Sequence, residues 1–295
     1  MRSFGSIAVS LVLSTILLTA SRPAIAQQVI TTCGTTCTGS CSLGQDLHCT
    51  GGIAVTLNHA FLDMGNFSIF CDAGNACDTA VKMTGTDSAV QSATGANSNL
   101  EAGTPRIVGE WRLGVDCGNN FATSVAGITF HGIFQTVIKE CSQVTQNSIG
   151  GFTDNDGALD ITFPGVSNIG IQINGHSGDF LSVSGNYVDG VIKPINENGN
   201  AANVVWSITN NTINHRNYSF GVNQPAAITL QSVNAVQESV TGNIITGDGT
   251  GVITLGFNHT GTYSGNFCRF PLVGCTACVN SGKCASQGTI HSPAP

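Results

Sequence analysis

Four charged residues in the central part of the chain are of types that suit chemistry on an acidic sugar. Asp154 and Asp156 flank an asparagine and precede a glycine, so they can offer oxygen ligands to Ca²⁺, although the full EF-hand calcium-loop pattern is absent. Elimination on a uronate requires a cation at the sugar carboxylate, a base for the ring proton and an acid for the leaving oxygen. The hypothesis assigns both aspartates to the metal, Lys193 to the base, and Arg216 to carboxylate neutralisation or acid catalysis.

The same residues fit a structural interpretation that the sequence favours. Asp and Gly are typical of turns, while Lys and Arg keep surface loops solvated. A polysaccharide hydrolase that uses clustered aspartates is not favoured. Such a site combines paired aspartates with a His-Gly sequence, and His131-Gly132 occurs here without a pair of adjacent aspartates. The chain also contains neither a G-x-S-x-G nucleophile motif nor a phosphate loop.

A short repeat surrounds these residues and predicts the elements that position them. It consists of a β-branched or aromatic residue, two small or polar residues, an asparagine, one residue and usually another apolar one. Five copies have their asparagines at Asn147, Asn186, Asn211, Asn243 and Asn266, with spacings of 39, 25, 32 and 23 residues. A period in the low twenties predicts one circuit of the chain per repeat. The 39-residue gap predicts an additional circuit near residues 166–173.

The repeat predicts an all-β parallel β-helix, a solenoid whose ends are rich in disulfides. Apolar residues two apart, as in 169–173, indicate strands with one face inside. Asparagines at a shared corner can hydrogen-bond to the copies above and below. A two-sheet sandwich is the alternative, but the recurring corner and the unequal loops favour the solenoid. The residues expected to point inward are Val183, Val188, Ile208, Ile213, Val240 and Ile245.

Twelve cysteines predict a disulfide framework, because their number is even and all follow an apparent export signal. Zinc is the competing interpretation at the C-terminal C-x-x-C, which lacks the second C-x-x-C of a zinc ribbon. The sequence leaves the connectivity open. The cysteines are Cys33, Cys37, Cys41, Cys49, Cys71, Cys77, Cys117, Cys141, Cys268, Cys275, Cys278 and Cys284.

The first 26 residues predict a secretory signal, with Arg2, an apolar run over residues 7–18 and small residues before cleavage at Ala26. The product is expected to be extracellular or periplasmic, with residues 27–267 forming the β-helix and its N-terminal cysteine-rich cap, and 268–295 a C-terminal cysteine-rich cap and tail. Charged residues make up 9% of the chain and the net charge is −7. This composition excludes a basic surface for nucleic acid or for a membrane.

Residues 42–267 resemble right-handed parallel β-helix proteins of the pectate-lyase-like superfamily. The resemblance rests on Asp46-Leu47-His-Cys49, Gly52-Ile53 and Leu62-Asp63-Met64-Gly65-Asn66, together with the five asparagine corners. It implies the fold more than the activity, since lyases, hydrolases and adhesins share such motifs. Lys193 with Arg216 resembles the catalytic pair of one lyase class, without that class's full set of acidic calcium ligands.

Three classes of function are therefore open from the sequence. The first is a lyase that acts on acidic polysaccharide, with Ca²⁺ as its only candidate cofactor. The second is a non-enzymatic adhesive protein, and the third is a structural exoprotein. The sequence favours interaction with an extracellular or cell-surface polysaccharide and leaves catalysis open.

Overall fold

The structure, a computed structural model, describes residues 27–73, 76–92, 95, 105–150, 169–174, 180–197, 204–215, 226–230, 236–246, 253–255 and 259–269. These residues form 24 strands and no helix. The strands are β1 (Gln28–Ile30), β2 (Thr35–Leu43), β3 (Leu47–Cys49), β4 (Ile53–Asp63), β5 (Ile69–Cys71), β6 (Cys77–Met83), β7 (Ala89–Gln91), β8 (Arg106–Asp116), β9 (Ser124–Ala126), β10 (Thr129–Lys139), β11 (Gln143–Thr145), β12 (Ser148–Gly150), β13 (Ile169–Ile173), β14 (Phe180–Ser184), β15 (Tyr187–Asp189), β16 (Lys193–Glu197), β17 (Val204–Thr209), β18 (Thr212–Asn214), β19 (Ile228–Leu230), β20 (Val236–Thr241), β21 (Ile244–Thr246), β22 (Ile253–Leu255), β23 (His259–Ser264) and β24 (Phe267–Arg269).

The strands pair in three columns, and every pair among the described residues is parallel. Column A contains β1, the C-terminal parts of β2 and β4, then β7, β9, β11, β14, β17, β20 and β23. Column B contains β3, β5, the N-terminal parts of β8 and β10, then β12, β15, β18, β21 and β24. Column C contains the remaining parts of these long strands with β6, β13, β16, β19 and β22. The all-parallel pairing argues against the sandwich, whose sheets are antiparallel.

Apolar residues fill the interior in rows that run from strand to strand. In column A, Val144, Val183, Ile208 and Val240 are successive register partners. Burial of each such side chain contributes about 2 kcal/mol, so the stacked rows are the main source of stability. All six residues expected to point inward are at most 1% exposed, which confirms that prediction.

The 39-residue gap does not contain an additional circuit, contrary to the sequence-based expectation. Strand β12 pairs directly with β15, with Ser148 opposite Tyr187 and Ile149 opposite Val188. The predicted strand at 169–173 exists as β13, but it is the ordinary column C strand of this circuit. The extra length instead falls between β12 and β13. A long insertion between two strands changes the asparagine spacing without changing the order of the columns.

The five asparagines form one hydrogen-bonded row at the turn from column A to column B. Asn211 Nδ2 donates to Asn243 Oδ1 at 3.0 Å and to the Val183 carbonyl at 2.9 Å. Asn211 Oδ1 accepts from the Asn186 backbone N–H at 3.1 Å and from Asn186 Nδ2 at 2.9 Å. Equivalent bonds join Asn147 to Asn186 and Asn243 to Asn266. The first four side-chain amides each donate to the next asparagine of the row, and all five residues are buried.

The sharp backbone turn lies one residue before each asparagine of the row. Gly185, Asn210 and Gly242 have φ values of 65°, 55° and 66°. Glycine and asparagine tolerate this left-handed conformation better than other residues. The turn residue and the ladder residue are therefore separate positions with separate requirements.

Four disulfides stabilise the N-terminal half of the described chain: Cys33–Cys49, Cys37–Cys41, Cys71–Cys77 and Cys117–Cys141. No cysteine whose side chain the structure describes is free. The predicted disulfide framework is confirmed for these eight residues, and it fits an oxidising compartment. The other four cysteines, the predicted signal segment 1–26 and residues 270–295 lie outside the described side chains. Within the described ranges no helix has the length and hydropathy to cross a membrane.

Candidate functional site

Lys193 is the one residue of the predicted catalytic and metal set that the structure describes. It begins β16, is half-buried, and lies opposite Ile169 of the preceding strand in column C. Arg216, Asp154 and Asp156 lie outside the described residues. The described residues contain no group of three or more His, Cys, Asp or Glu side chains arranged to hold a metal ion.

The segments that carry the predicted site leave column B at equivalent positions. Ile149, Val188 and Ile213 are register partners in β12, β15 and β18. These three strands therefore end at one edge of the column. The sequence continues from Gly150 toward Asp154, from Asp189 to Lys193, and from Asn214 to Arg216.

A polar cluster that was not among the predicted site residues lies at this edge. Tyr187 donates its hydroxyl to Asp189 Oδ2 at 3.3 Å, and Asn214 Nδ2 donates to Asp189 Oδ1 at 3.1 Å. Both oxygens of the Asp189 carboxylate are thereby oriented, and the side chain remains partly accessible. The signal was available, because Tyr187 and Asp189 flank the inward-pointing Val188 and must face outward.

A second surface is the outward side of column A, from β9 to β23. We call it the hydroxyl face, and it consists of two residues from each of six strands. One row is Ser124, Gln143, Ser182, Ser207, Ser239 and Thr262. The other row is Ala126, Thr145, Ser184, Thr209, Thr241 and Ser264. Ten of these twelve side chains carry a hydroxyl, none is charged, and all are half-buried or exposed.

The spacing of the hydroxyl face follows from the backbone. Adjacent strands are about 4.8 Å apart and alternate residues about 6.7 Å apart, so the side chains form a regular two-dimensional array. The sequence carries a signal for it, since a hydroxyl residue precedes most row asparagines by four positions and again by two. That pattern is visible only after the asparagines are known to share one register.

An ion-pair cluster and a half-buried histidine lie on or next to strands β8 and β10. Lys139 Nζ lies 3.7 Å from Asp116 and 3.8 Å from Glu140, and Gln172 donates to Glu140 at 3.3 Å. Burial lowers the pKa of His131, and the neighbouring Arg106 lowers that pKa further. Neutral histidine and paired charges are consistent with structural roles for these residues.

Comparisons with known proteins give no functional assignment. No protein-family model matches the chain, and neither the curated proteins nor the solved structures contain a significant match.

Proposed function

We propose that the chain is a secreted right-handed parallel β-helix, similar to the pectate-lyase-like superfamily, that binds extracellular polysaccharide. The fold proposal is supported by strands β13–β24, in which each strand pairs with the strands three before and three after it where these exist. One circuit through columns A, B and C advances the chain by about 4.8 Å. Right-handed connection is the strong rule for parallel strands.

The observation that carries the binding proposal is the hydroxyl face. Hydroxyl side chains both donate and accept hydrogen bonds, as sugar hydroxyls do, so each can pair with a sugar in either direction. Serine and threonine are short and are fixed here on a rigid sheet, so little conformational entropy is lost on binding. A repeating ligand can engage several positions at once, and avidity then converts weak single contacts into useful affinity.

A lyase is the second candidate, favoured by the position of Lys193 beside the edge that ends at Asp189. In this hypothesis Lys193 is the base, Arg216 neutralises the uronate or acts as acid, and Asp154 with Asp156 binds Ca²⁺. The oriented Asp189 carboxylate adds a polar group at the same edge. The hydroxyl face is the better supported surface, because its side chains are described in full.

Incubation of the secreted protein with neutral and acidic polysaccharides, with and without Ca²⁺, distinguishes the candidates. Affinity electrophoresis measures retention, and ultraviolet absorbance measures the unsaturated product of elimination. We expect retention on at least one polysaccharide without any rise in absorbance. A rise that Lys193→Ala and Arg216→Ala each abolish would establish the lyase instead. Absence of both retention and absorbance on every polysaccharide would contradict a carbohydrate function.

A further inference from the structure

We infer that the ligand of the hydroxyl face is a neutral polysaccharide that lies along the rows, across the strands, with its apolar ring faces against Phe180 and Val205. This inference rests on the proposed polysaccharide binding and names the class of polymer and its position. Three features of the described surface lead to it.

The first feature is the absence of charge on the hydroxyl face. None of its twelve residues is acidic or basic, and the whole protein carries a net charge of −7. A polyuronate placed on this face would meet no cation among these twelve described residues to neutralise its carboxylates, and it would be repelled by the protein's overall charge. A neutral polymer has no such cost.

The second feature is an apolar strip beside the hydroxyls. Phe180 is 59% exposed and Val205 is 37% exposed, and the two are register partners in β14 and β17. Each lies two residues before a serine of the face, Ser182 and Ser207, so all four point to the same side of the sheet. A contiguous exposed apolar patch, unlike a single exposed apolar residue, can mark a binding site.

The third feature is the match between this strip and the chemistry of a sugar ring. A pyranose ring has an apolar face of C–H groups and a rim of hydroxyls. Phe180 and Val205 supply apolar area for the C–H face, while the adjacent serines supply partners for the rim. A sugar ring that lies over β14 and β17 can contact the apolar side chains with its C–H face and the serines with its hydroxyl rim.

The extent of the face sets the length of ligand that it accommodates. Six strands give five interstrand spacings, or about 24 Å, along which the two rows are continuous. Affinity should therefore rise with oligosaccharide length until the chain spans this distance, and should change little beyond it.

The test measures affinity for neutral oligosaccharides of increasing length, and for polygalacturonate, in wild type and in two variants. Phe180→Ala removes the apolar platform, and Ser207→Glu places a charge and added bulk at the centre of the rows. We expect Phe180→Ala to weaken neutral binding about tenfold and Ser207→Glu to weaken it by more. The matched controls are Phe121→Ala, which changes a 46% exposed phenylalanine outside the rows, and Thr212→Glu in column B. Both control variants should bind neutral oligosaccharides with an affinity within about twofold of the wild type, which corresponds to a small change in binding free energy.

The outcomes separate this inference from the proposal beneath it. Binding of polygalacturonate in preference to neutral chains would overturn the inference and leave polysaccharide binding intact. If both variants bind neutral chains as tightly as the wild type does, the ligand binds elsewhere on the protein. That result would also overturn the inference and leave polysaccharide binding intact. Failure to bind any polysaccharide would overturn both. If Phe180→Ala instead dissociated an oligomer, a second copy of the chain would be the occupant of this face, and the inference would be wrong.

Discussion

Replacement of Asn211 by alanine is expected to lower the free energy of unfolding by about 4 kcal/mol. The side chain makes four hydrogen bonds, two donated by Nδ2 and two accepted by Oδ1. Alanine leaves the Val183 carbonyl and the Asn186 N–H groups in a buried site without these partners. Each buried unsatisfied polar group costs about 1–3 kcal/mol, so the loss is a large part of a typical domain's stability.

Asn210→Gly is the matched control, because Asn210 is the neighbouring asparagine and lies outside the row. Its side chain is exposed and its φ of 55° suits glycine. Urea unfolding followed by circular dichroism should show a large decrease in midpoint for Asn211→Ala and almost none for Asn210→Gly. Equal, small shifts for the two variants would mean that the row contributes nothing particular to stability.

Ile213→Asp is expected to prevent folding. Ile213 is 0% exposed in column B, between Val188 and Ile245. An unpaired carboxylate in this packed interior costs several kcal/mol, which is comparable to the whole stability of a domain. The variant should lack a cooperative thermal transition, whereas Ile213→Val, which removes one methylene, should fold with a loss of about 1 kcal/mol.

The neighbouring position provides the control. Thr212 precedes Ile213 in β18 and is half-buried on the outward side. Thr212→Asp introduces the same charge one residue away and should cost only about 1 kcal/mol, the scale of strand propensity. Because side chains alternate between faces, this pair tests the register of the strand as well as its burial. Similar destabilisation by the two aspartates would contradict the assigned inward direction of Ile213.

The repeat around the asparagines made much of the strand arrangement predictable. The pattern of Val183, Asn186 and Val188 has equivalents in the other copies of the repeat. In the structure these equivalent residues are register partners in neighbouring strands. The prediction of an additional circuit between Asn147 and Asn186 was wrong because the number of residues between two asparagines does not distinguish paired strands from the segments that connect them. An insertion between two columns leaves the pairing within each column unchanged at little energetic cost, so residue spacing does not report the number of circuits.

The surfaces were harder to predict than the interior. Most inward residues, such as Ile208, are apolar and so stand out in the sequence, whereas outward serines such as Ser207 and Ser239 look like ordinary solvated residues until their alignment is known. Disulfide pairs were also beyond the sequence, because Cys117 and Cys141 meet only after β8 and β10 pair. The Asp189 cluster depends likewise on Asn214, a residue of the next circuit.

The proposals depend on straight rows in column A, and engineered disulfides test those rows most directly. Ser184 and Thr209 are register partners in adjacent strands, while Thr241 lies one strand further along the same row. Adjacent positions are about 4.8 Å apart, within disulfide reach, and positions two strands apart are about 9.6 Å apart, beyond it. Peptide mapping after oxidation should find the new bond in Ser184→Cys with Thr209→Cys and not in Ser184→Cys with Thr241→Cys. The opposite pattern, or a bond in neither variant, would contradict the stacked columns.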